Sequence, residues 1–144
     1  MFHPQPTAGF PLADPDHTRR DVEQYALAFD SDLAPIVGQQ VTLTRTNASA
    51  VGPRITLLEQ RAQATFTSKV LGGTFKECDL VAMLAQGGAI QGFVFEPTSR
   101  SFVPAGGGPG LSDSALRALA ATPGQEVTFT CAPPGSGVRL ATTR

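Results

Sequence analysis

Apolar positions along this chain change their spacing from segment to segment, and the changes mark its elements. Val22, Tyr25, Ala26, Phe29 and Leu33 fall at i, i+3, i+4, i+7 and i+11. That is one buried stripe on a helix over residues 18–33, with Thr18 as its cap and Asp21 three residues on. Pro35 and Gly38 end it, and Leu27 stands off the stripe where it can meet a neighbouring domain. Val41, Thr42, Leu43 and Thr44 then alternate as a short strand. A second helix is expected from Pro53, a residue suited to a first helical position, with Ile55, Leu58 and Ala62 inward and Arg54, Glu59 and Arg61 facing water. Residues 65–70 read as a further strand, interrupted at Gly72 and Gly73.

The strongest β pattern follows. Cys78, Leu80, Ala82 and Leu84 share a face, Gly87-Gly88 makes a tight hairpin turn, and residues 89–95 return. A third strand over residues 101–103 completes a meander. Phe93 and Phe95 alternate against Ile90 and Val94, so both faces of the return strand are apolar. This suits a central strand covered by helices; the competing expectation is an exposed patch at Phe93 and Phe95 that docks a partner. After the Gly-rich stretch 105–110, Ser112 caps a compact helix and Leu111 staples onto Leu116. Val127, Phe129 and Cys131 alternate inward on a strand, and the turn at residues 133–137 leads into an expected last strand over residues 138–142. The fold class expected is α+β: an antiparallel sheet of roughly four to six strands with about three helices packed on it. Residues 1–16, with four Pro and no periodicity, read as an extended or disordered arm before a single domain over residues 17–144.

Composition changes the picture in three respects. The 144 residues carry 11 Lys and Arg against 12 Asp and Glu, which leaves no basic footprint for nucleic acid. No apolar run approaches the ~20 residues of a membrane span, and the start of the chain has no secretory signal pattern. The two cysteines, Cys78 and Cys131, lie in the apolar phase of their strands. A disulfide is expected if those strands are neighbours, worth about 4 kcal/mol in the chain-entropy model; two buried thiols or a reactive thiol are the alternatives.

Candidate chemistry is sparse. His3, Asp14, Asp16 and His17 offer N/O metal ligands, and Asp30 with Asp32 offers clustered oxygens for a hard cation. Surface residues on a flexible arm compete with the first reading, and a helix cap or a pair with a nearby Arg with the second. The Gly-rich loop lacks the Lys of a phosphate-binding loop, and the Gly-Ser-Gly at residues 135–137 is a turn and not a nucleophile elbow. Both His lie in the amino-terminal segment, so a Ser or Cys triad has no evident base. Asn47-Ala48-Ser49 satisfies the glycosylation sequon, which matters only in a eukaryotic secretory path. No cofactor is implied, and enzyme readings, a small hydrolase included, rank below binding ones.

Three segments, residues 25–43 (YALAFDSDLAPIVGQQVTL), 77–82 (ECDLVA) and 116–140 (LRALAATPGQEVTFTCAPPGSGVRL), together resemble a carboxy-terminal module of large exported proteins of Gram-negative bacteria. In those, β-propeller-like or haem-bearing segments tend to stand upstream, and an Asp-rich calcium-type segment often follows. The chain ends Ala141-Thr-Thr-Arg144 where that Asp-rich segment is expected and has no C-x-x-C-H, so neither calcium nor covalent haem carries over. The resemblance implies a periplasmic, extracellular or cell-surface setting, which favours the disulfide. The expected function is a non-catalytic accessory or interaction module that meets a protein partner or neighbouring domain. The alternative is a small metal- or ligand-binding domain using the His/Asp positions above.

Overall fold

The computed structural model describes residues 20 and 32–142, and the compact unit that contains nearly all of them begins at Asp32. The helix expected over residues 18–33 lies outside the described residues except for Arg20, Asp32 and Leu33. In chain order the elements are β1 (Gln40–Leu43), α1 (Ala48–Gln63), β2 (Thr65–Thr67), β3 (Thr74–Lys76), β4 (Asp79–Gln86), β5 (Ala89–Glu96), β6 (Ser101–Pro104), β7 (Leu111–Ser112), α2 (Asp113–Leu119), β8 (Glu126–Ala132) and α3 (Gly137–Thr142). Six strands form one antiparallel sheet in the order β1-β8-β4-β5-β6-β7, and β2 pairs with β3 as a separate hairpin. The architecture is α+β.

Local chemistry accounts for most of these elements. The β4–β5 hairpin turns at Gly87 and Gly88, both at positive φ, which sets the register Gln86 opposite Ala89. Leu80, Ala82 and Leu84 then share a face with Phe93 and Phe95, and that face is covered by Ile55, Leu58 and Ala62 of α1 and Leu116 of α2. Phe93 and Phe95 are only 2% and 6% exposed, so they belong to the core and are not a docking patch. Ser112 caps α2 by accepting from the Ala115 N–H at 3.1 Å.

Two expected elements take a different form. The helix α1 begins at Ala48, and Pro53 sits inside it. The Asn47 side chain anchors the preceding turn: its Oδ1 accepts from the Thr44 N–H at 2.8 Å and its Nδ2 donates to the Thr42 carbonyl at 3.0 Å. This anchor and the packing of Val51 onto the core outweigh the backbone bond that Pro53 cannot donate. Residues 138–142 form α3 and not a return strand. β8 is already paired on both sides, with β1 and β4, so no edge beside it is open to a further strand. Asp79 Oδ2 accepts instead from the N–H groups of Gly135 at 2.8 Å and Gly137 at 3.1 Å, satisfying free donors at the start of α3. α3 lies on the second face of the sheet, where Ala141 joins Val81 and Ala132, with Met83, Val94 and Ala105 beside them.

Cys78 and Cys131 form a disulfide with their Cα atoms 5.4 Å apart. Leu80 pairs directly with Cys131, which leaves Cys78, two residues earlier, as its diagonal neighbour on the core face. Both are almost fully buried, at 1% and 0% exposure.

Candidate interaction groove

α1 buries one side against the sheet and leaves the other facing a groove. Pro53, Leu57 and Arg61 recur every fourth residue and line it, with Arg54 and Leu58 beside them. The opposite wall is the segment before β1, contributing Pro35, Ile36 and Gln39. That wall is held in shape by backbone bonds: Val37 N–H to Ala34 O at 3.0 Å, Gln39 N–H to Ile36 O at 3.0 Å, and Gly38 N–H to Cys131 O at 2.8 Å. The last bond ties the wall to a disulfide cysteine. The groove encloses about 590 Å³ and is open to solvent. Its floor is the buried Leu58, and Leu57, a large aliphatic side chain, is 44% exposed on its wall.

The ends of the groove are charged. At one, Arg61 Nη1 donates to Glu77 Oε1 at 3.0 Å, a neutralised ion pair. At the other, Arg54 Nη2 donates to the amide oxygen of Gln39 at 2.9 Å, which positions the guanidinium without balancing its charge.

A second polar cluster joins α1 to α2. Glu59 is 7% exposed and accepts at Oε1 from Arg117 Nη2 at 3.1 Å. Arg117 Nε donates to Asp113 Oδ1 at 2.5 Å, and its other nitrogens reach the Gly52 carbonyl and the Thr56 hydroxyl, each at 3.3 Å. Burial, with the Asp113 carboxylate alongside, outweighs Arg117 and raises the Glu59 carboxyl from 4.5 to about 7. The groove residues do not include Glu59, so this cluster acts as a polar tie between helices. Glu59 corrects the expectation that it faces water. Residues 55, 58, 59 and 62 are themselves an i, i+3, i+4, i+7 stripe, so the period places Glu59 inward even though its chemistry argues against it.

Among the metal candidates, His3, Asp14, Asp16, His17 and Asp30 lie outside the described residues, as does Leu27. Asp32 is described, and its carboxylate accepts from the Ser68 hydroxyl and from the Lys69 N–H at 3.0 Å. The Ser68 bond, with backbone donors beside it, holds this carboxyl below its usual range against the opposing effect of desolvation. These are donors to Asp32 and anchor the loop between β2 and β3. Among the described residues, no three His, Cys, Asp or Glu side chains converge as a metal site, and no helix is long and apolar enough to cross a membrane. The groove itself escapes a reading of the sequence because its two walls belong to separate segments; only the exposed Leu57 on an otherwise polar helix face hints at it.

Comparison of the chain with family models, curated proteins and solved structures finds no match in any of the three.

Proposed function

We propose that this domain is a non-catalytic interaction module of an exported protein, meeting a protein partner or neighbouring domain through the groove beside α1. The observation that carries the reading is the aliphatic lining of the groove, exposed Leu57 on one wall and half-buried Ile36 on the other, framed by two arginines and backed by a disulfide-tied segment. An apolar surface of this kind with a polar rim has the make-up of a contact site. A buried disulfide fits an oxidising compartment, which is the support for an exported or cell-surface setting. The resemblance of residues 25–43, 77–82 and 116–140 to modules of exported Gram-negative proteins points the same way.

Photo-crosslinking tests this. A photoreactive residue replacing Leu57 in the full chain, in its own cells, is expected to give a discrete adduct with one polypeptide. The same residue replacing Ser99, exposed in the β5–β6 turn, is expected to give none. Equal adducts at both positions, or none at Leu57, would overturn the proposal.

A further inference from the structure

We infer that the occupant of the groove is a short apolar polypeptide segment carrying a carboxylate that meets Arg54. This rests on the interaction reading above and names the partner chemistry. Three features of the groove lead to it. Its centre is aliphatic, with Ile36, Leu57 and Leu58 flanked by Pro35 and Pro53, which selects apolar side chains. Its ends carry unequal charge. Arg61 is neutralised by Glu77 at 3.0 Å, whereas Arg54 is held at 2.9 Å by a neutral amide. Among the described residues the rim therefore keeps one uncompensated positive charge, fixed in direction by Gln39, and a carboxylate on the occupant balances it.

The dimensions favour polypeptide over lipid. From Pro53 to Arg61 is eight rises along the helix, about 12 Å of groove, which spans about three or four residues of extended chain. A long acyl chain would overrun that length, and an open groove leaves much of its surface in water. Polar side chains at both ends of the floor suit a backbone with its own hydrogen-bonding groups.

The test uses three capped probes on isotope-labelled domain, followed by NMR: acetyl-Leu-Leu-Asp-amide, acetyl-Leu-Leu-Asn-amide and acetyl-Leu-Leu-Leu with a free carboxylate. The expected result is saturable shifts centred on Ile36, Gln39, Arg54 and Leu57, with the Asp probe binding about fivefold or more tightly than the Asn probe. Arg54→Gln is expected to remove that preference, bringing the Asp and Asn probes to equal affinity, and added salt to narrow it in the parent domain. Comparing the Asp probe with the free-carboxylate probe tells a side-chain acid from a chain terminus; tighter binding of either over the Asn probe supports the inference. Equal binding of Asp and Asn probes at the groove overturns the acid preference and leaves the interaction module standing. Saturable binding of decanoate at the same residues, tighter than any peptide, overturns the polypeptide occupant. Shifts absent from the groove with every probe overturn both.

Discussion

Among the described residues, Glu59 is the side chain at which burial and charge conflict most sharply. In the unfolded chain its carboxyl titrates near 4.5, and in the folded domain near 7. Between those values the folded state holds a proton that the unfolded state has lost, so the Glu59 contribution to stability is complete below pH 4.5 and decays as pH rises through about 7. Other carboxylates act in the opposite sense, so the clean readout is a difference. Denaturant unfolding of wild type and Glu59→Gln across pH 4 to 8 is expected to show wild type losing on the order of 2 kcal/mol relative to the variant. A constant difference would show that Glu59 titrates normally. The hydrophobic stripe of α1 was legible in the sequence, but Arg117, 58 residues away, was not legible as the partner that makes a buried carboxylate tolerable there.

At the scale of elements, α3 depends on a missing side chain beneath it. A Cβ built at Gly92 would lie 1.9 Å from the Ala141 carbonyl oxygen and 2.8 Å from its Cα, all backbone atoms that cannot move without unseating the helix. Gly92→Ala is therefore expected to destabilise by about 2 kcal/mol or more and to expose Val81 and Val94. Hydrogen exchange checks the location: protection should fall in α3 while α1 and α2 keep theirs. Uniform loss of protection, or none, would contradict this account of α3. The sequence around residues 138–142 alternates well enough to read as a strand. What prevents it is occupancy, since β8 has β1 on one side and β4 on the other.

Over the whole molecule, the Cys78–Cys131 link joins positions 53 apart in sequence and closes a loop that runs from the start of β4 into β8. Replacing both cysteines by Ala removes that constraint on the unfolded chain and is expected to cost about 2–4 kcal/mol. Equilibrium unfolding against the oxidised parent measures it, and a loss below about 1 kcal/mol would mean the packed sheet already supplies the restraint. The same bond stands behind the groove, because the Cys131 carbonyl accepts from Gly38 in its outer wall. Its loss should therefore loosen the wall before the core.

The local patterns of the sequence determined the strands of the meander, the Gly87-Gly88 turn, the Ser112 cap and the apolar phase of both cysteines, because period and turn chemistry act over a few residues. The sequence left open whether Phe93 and Phe95 were covered, and its local pattern misplaced residues 138–142 as a strand and Glu59 as facing water. Tertiary structure decided these, along with the groove between residues 35–39 and α1. Each depends on which strand lies beside which, and so on contacts between residues tens of positions apart. Local alternation carries no information about that order, so it is settled only when the sheet closes on its helices.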